Sequence, residues 1–80
     1  MKMSEAIATR TKALLKEKNM TKYALCKKTL IPKSTLQNIL DASANDVILS
    51  NVLRIATGLD MTLAEFFDCE LFKQENFENL

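Results

Sequence analysis

Eighty residues suffice for one domain that folds alone while burying only about 60% of its unfolded surface. Nearly half of them are apolar, with a single Gly and a single Pro, which favours a compact all-helical domain over a sheet protein or a disordered tail. The net charge of +1 conceals a dipole: residues 1–40 carry nine Lys or Arg against two acids, a balance of +7, and residues 41–80 carry two against eight, a balance of −6.

Ser4 to Lys18 reads as a first helix, with Ile7, Thr11, Leu14 and Leu15 as a modest apolar stripe and Arg10, Lys12, Lys16 and Lys18 mostly outside it. Asn19 breaks it, because Asn tolerates the left-handed conformation that ends many helices, and Met20 then tucks back against the next one. Thr21 serves as N-cap of a second helix, Lys22 to Thr29, in which Leu25, Cys26 and Thr29 share one face. Leu30 and Ile31 lead to Pro32, whose locked φ and missing N–H suit the first turn of a third helix, Lys33 to Asp41. Leu36, Ile39 and Leu40 form the apolar side of that helix. Ser34, Gln37, Asn38 and Asp41 lie opposite, with Lys33 at the N-terminal end.

The run Ala42 to Asp46 is a loop of turn formers. Leu49, Val52, Leu53 and Ala56, with Ile55 beside them, predict a fourth helix from Ile48 to Thr57, closed by Gly58 as its C-cap. Leu49 is expected in the core, whereas Val47 and Ile48 suit core and dimer surface equally. Thr62 and Glu65 make a capping box before a fifth helix, Leu63 to Phe72, with Phe66, Phe67 and Leu71 as core. Phe66, Phe67 and Phe72 exceed one narrow face of such a helix, which points to a homodimer through the carboxyl-terminal half as readily as to a monomer. The tail, residues 73–80, is polar and acidic around Phe77 and Leu80; it either frays or carries the last helix into a partner contact.

The chemistry that can be excluded is broad. Cys26 and Cys69 stand at no metal-ligand spacing and no histidine completes a set, so no metal and no cofactor are expected. Both cysteines read as reduced thiols of a cytoplasmic protein. No phosphate-cradling glycine loop and no thiol beside a base occurs, so no catalytic residue is expected and no small-molecule site is evident. No apolar core follows Lys2 and no segment approaches ~20 apolar residues, so neither a signal peptide nor a membrane span is expected.

A basic amino-terminal half suits a polyanion, whose phosphates lysines neutralise with release of counterions. On the third helix, Gln37 and Asn38 are side chains that pair with adenine, and Lys33 one that donates to guanine. On composition alone, a polar helix face of this kind more often meets only water.

The pair of short helices in TKYALCKKTLIPKSTLQNILD, with the later string IATGLDMTLAEFF, resembles the Cro/repressor (XRE) helix-turn-helix family, over about residues 5–68. That family has a small residue where Cys26 stands and apolar residues where Leu25, Ile31, Leu36 and Ile39 stand. The resemblance implies a lambda-repressor-like fold of five short helices and a sequence-specific regulator, a repressor acting by operator occlusion. It implies that Lys33, Ser34, Gln37 and Asn38 face base edges in the major groove of double-stranded DNA. Lys22, Thr35, Ser43 and Asn45 would contact phosphates, and Lys27 and Lys28 would supply attraction without a defined contact. A second reading is a protein-interaction module, an antitoxin or anti-repressor with little DNA binding; an acidic tail lying over the third helix would favour it.

Three departures from the family stand out. Leu30 replaces the usual turn glycine, so the turn either avoids a left-handed residue or strains one. Leu15 and Leu40 align with a buried Arg–Glu pair of many members, a joint replacement that apolar packing tolerates. Ala42 replaces a common Gly, and the Pro frequent before the fourth helix is absent around Val47.

Overall fold

The computed structural model describes residues 1–77. Its helices are α1 (Met3–Glu17), α2 (Lys22–Thr29), α3 (Lys33–Leu40), α4 (Leu49–Gly58) and α5 (Leu63–Phe67), followed by 3₁₀ turns at Glu70–Phe72 and Gln74–Asn76; no strand occurs among the described residues. None of these helices is long and apolar enough to cross a membrane.

Local chemistry sets the helix starts. The Thr21 hydroxyl accepts from the Ala24 N–H at 3.1 Å. At α5 the capping box closes from both sides: Thr62 Oγ1 accepts from the Glu65 N–H at 3.1 Å, and the Glu65 carboxylate accepts from the Thr62 N–H at 2.8 Å. Pro32 stands one place earlier than expected, as the N-cap of α3, with its carbonyl accepting from the Leu36 N–H at 3.0 Å.

Three helix ends share one device. Asn19, Ala42 and Asp60 are left-handed, with φ of 55°, 55° and 58°. In each case the N–H after the left-handed residue returns to the carbonyl five residues back: Met20 to Leu15 at 2.8 Å, Ser43 to Asn38 at 3.0 Å, Met61 to Ala56 at 2.9 Å. Asn19 does what its residue type predicts. Gly58 does not: it is the last helical residue of α4, and Asp60 takes the left-handed place. A Cβ at Gly58 would lie 3.1 Å from both Leu25 Cδ1 and Thr29 Cγ2, so the glycine serves the close approach of α2 to α4.

The core is where these helices meet. α1 packs on α3, α2 on α4, and α4 on α5. Ile7, Leu14, Leu15, Leu25, Ile31, Leu36, Ile39 and Leu40 join Val52, Ile55, Ala56, Leu59 and Phe66 in one buried cluster, each large side chain contributing about 1.5–3 kcal/mol. Leu15 and Leu40 are both inside it, as a joint replacement of an ion pair requires.

Two expectations for the second half fail. The buried stripe of α4 is Val52, Ile55, Ala56 and the following Leu59, while Leu49 is 61% and Leu53 48% exposed. Both stripes have helical spacing, and packing against α2 and α5 selects the one that continues through Leu59. Helix five ends at Phe67, not Phe72. The break lets Phe72 return onto Phe67, with ring centroids 4.8 Å apart at 83°, and Phe66 stands edge-on to Phe67 at 5.4 Å. The apolar excess that pointed to a second subunit is therefore packed within the chain. Of the tail, Asn76 accepts the amino group of Met1 through its carbonyl at 2.9 Å; Leu80 lies outside the described residues.

Arg10, placed mostly off the apolar stripe by sequence, closes the short α5. Its Nε donates to the Phe66 carbonyl at 2.8 Å and its Nη2 to the Glu65 carbonyl at 3.0 Å. A charged donor thereby satisfies the Phe66 carbonyl and adds a second bond to that of Glu65, which also accepts from the Asp68 N–H at 3.2 Å.

Leu30 resolves the question of the turn: it is left-handed, with φ 59° and ψ 14°, and 87% exposed. The turn strains a leucine. Since the left-handed region costs a non-glycine residue about 1–2 kcal/mol, Leu30→Gly is expected to stabilise the fold by about 1 kcal/mol, raising Tm by about 4–8 °C in a thermal melt; an unchanged or lower Tm would refute the strain. Arg10→Ala should destabilise by about 1.5–3 kcal/mol in urea, since it removes charged hydrogen bonds and takes from the Phe66 carbonyl its side-chain donor. The Glu65 carboxyl is held below its ordinary value by the Thr62 N–H, then by the Thr62 side chain. Its folded-state value being lowered, the cap's contribution is present above the ordinary carboxylate range and lost as pH falls through the lowered value.

Candidate nucleic-acid interface

The outer side of α3 and the start of α2 form one surface. Lys33, Ser34 and Asn38 are exposed, Thr35 and Gln37 half-buried, and Lys22, Ser43 and Asn45 exposed around them. This follows from the packing of α3: with Leu36, Ile39 and Leu40 held inside, positions 34, 37, 38 and 41 must turn out.

These side chains are connected to one another. The Lys22 ammonium donates to Gln37 Oε1, and Gln37 Nε2 donates to Asp41 Oδ1 at 2.8 Å. Lys22, expected over a phosphate, thus orients Gln37, expected at a base, and Asp41 holds the amide from the other end. Ser43 Oγ donates to the Asn38 main-chain carbonyl and to its Oδ1, both at 3.3 Å. Ser43 therefore steadies Asn38 as well as closing α3. Asn45 lies on the exposed loop with no side-chain bond to this cluster among the described residues.

The electrostatics are one-sided. Lys22, Lys27 and Lys33 make no ion pair among the described residues, where the ion pairs are Lys28 to Asp60, at 4.0 Å, and Lys73 to Glu70, at 2.9 Å. Lys27 Nζ sits 4.8 Å from the ring centroid of Tyr23, which is 66% exposed. Pro32 gives α3 no side-chain cap, so its first-turn N–H groups keep their partial positive charge for an anion. The 3₁₀ turn Glu70–Phe72 packs on α1.

Between α2 and α3 lies a cavity of about 300 Å³ lined by Lys22, Tyr23, Cys26, Lys27, Lys33 and Leu36. The sequence displayed no small-molecule site; this cavity exists only because the turn brings the two helices together.

A family model described as a Cro/C1-type HTH DNA-binding domain matches residues 12–71, spanning all of α2, α3, α4 and α5. The chain belongs to this family. It is a family of DNA-binding domains, not of catalysts, and this Cro/C1-type chain places the family's two-helix element where the exposed polar face lies. No curated protein and no solved structure matches the chain.

One residue of this surface escaped the sequence reading: Tyr23, whose signal was its place off the Leu25–Cys26–Thr29 face. Asp41 was expected on this face but without a role, and its spacing of four from Gln37 carried the signal for one. Asp41 puts a negative charge on the outer face of α3, beside Gln37. Asp41→Ala should therefore raise affinity for any duplex, by about threefold at low salt and less as salt screens the repulsion. Fluorescence anisotropy with a random duplex at two salt concentrations checks this, and an unchanged affinity at both would place Asp41 away from the bound duplex.

Proposed function

We propose that the protein is a sequence-specific double-stranded DNA-binding regulator that represses transcription by occupying and occluding an operator, without catalysis. Lys33, Ser34, Gln37 and Asn38 read base edges in the major groove: Gln37 and Asn38 through amide pairs, and Lys33 through guanine acceptors. Lys22, Thr35, Ser43 and Asn45 contact phosphates and set the register. Lys27 and Lys28 add attraction.

The observation that carries this reading is the uncovered outer face of α3, flanked by Lys22 and Lys33 with no acid paired to either among the described residues. The interaction-module reading is favoured by an acidic tail over α3; of the described part of that tail, the Asn76 carbonyl accepts instead from the amino group of Met1. On a palindromic operator the second copy would meet Ile48 and Leu49, which stay exposed beside the loop while the phenylalanines pack inward.

Selection from a randomised duplex pool at stated salt tests the proposal, with enrichment of one motif as the expected result. Lys22→Ala should then weaken binding to every duplex and lower the salt slope by about 0.9. Asn38→Ala should cost about 1–3 kcal/mol on the selected site and little on random DNA. Absence of any enriched motif, with helicity intact by circular dichroism, would sink the reading.

A further inference from the structure

We propose that the cavity between α2 and α3 binds a small organic anion with an apolar body, a carboxylate on a hydrocarbon chain, and that its occupancy opposes DNA binding. The second half rests on the DNA-binding reading above; the first does not.

The cavity encloses about 300 Å³, at the lower end of small-molecule sites and enough for about ten groups of water's size. Its wall is mostly carbon: the Tyr23 ring, Leu36, Cys26 and the stems of Lys22, Lys27 and Lys33. Cys26 is turned inward to the Ile31 carbonyl at 3.7 Å, leaving its sulfur as a soft wall.

Three ammonium groups belong to this lining and no carboxylate does. Lys22 bonds a neutral amide and Lys27 a ring face, while Lys28, outside the lining, faces Asp60. Asp41 reaches the cluster through Gln37 Nε2. An anion at the rim gains three unpaired cations. A DNA phosphate meets those same cations, but it offers nothing apolar to a carbon-walled interior, where a hydrated oxygen would lose its water uncompensated. The full complement to this cavity is an anionic head with a hydrocarbon body. Seated there, it neutralises Lys22 and Lys33 and draws Lys22 from Gln37, so the reading face loses both charge and orientation.

The chain has one tyrosine and no tryptophan, so its emission reports Tyr23 at the cavity wall. Sodium decanoate, below its micellar range, is titrated into the full chain, with acetate and decylammonium as comparators. The expected result is a saturable change with decanoate alone. Lys27→Glu should weaken it by about fivefold, the size of one exposed ion contact, and Cys26→Met, which fills the cavity, should abolish it with helicity unchanged. If Cys26→Met unfolds, Lys27→Glu decides. Decanoate should also raise the apparent Kd for a selected duplex. No saturable response, an equal response to decylammonium, or indifference to Lys27→Glu overturns the site, and decanoate binding with duplex affinity unchanged overturns the regulation. Persistence of the decanoate response in a protein that binds no duplex would instead refute the DNA reading and leave the site standing.

Discussion

The link Leu30-Ile31-Pro32 sets the angle between α2 and α3, and everything on the outer surface depends on it. Leu30 turns the chain by adopting a left-handed conformation that costs a leucine free energy. Ile31 is buried beneath it and holds the turn against the core. Thr29 stitches the corner, donating its hydroxyl to the Cys26 carbonyl at 3.2 Å and accepting the Ile31 N–H at 3.3 Å. With the corner held, the Lys22 ammonium comes to rest on Gln37 across two helices. A different angle would separate the two, and the cavity between α2 and α3 would open or close with them.

The remaining elements fix this pair from behind. Gly58 lets α4 approach α2 where a side chain would push it away. The three phenylalanines close the end of the molecule beside α5, and Arg10 ties α1 to that end through two carbonyls. The charge dipole of the chain becomes a division of labour: the basic half supplies the outer helices, the acidic half the support. The exposed contact of Lys28 with Asp60 contributes little to holding the halves together, since water screens it. Buried apolar surface does that work.

The polar face of α3 was legible because helical periodicity sorts residues 34, 37, 38 and 41 from 36, 39 and 40 without knowledge of any neighbour. The bond from Lys22 to Gln37, the seat of Ser43 on Asn38 and the cavity were not legible. Each joins residues across a turn or loop, and their distance depends on an angle that spacing does not encode. The α4 stripe shows the same limit within one helix. Leu49–Val52–Leu53–Ala56 and Val52–Ile55–Ala56–Leu59 have equal periodicity, and α2 and α5 decide between them.

By itself, then, the sequence determined the elements whose causes are local. Thr21 and the Thr62–Glu65 box mark helix starts, Asn19 a helix end, and the inward leucines of α3 its polar outer face, because caps, left-handed preference and period act within a few residues. Tertiary structure decided where those local rules were outvoted. It put a leucine in the left-handed turn, moved the left-handed place from Gly58 to Asp60, stopped α5 at Phe67 and aimed Arg10 at its carbonyls. In each case the burial of apolar surface, or the pairing of a main-chain polar group, outweighs a local preference worth about 1 kcal/mol.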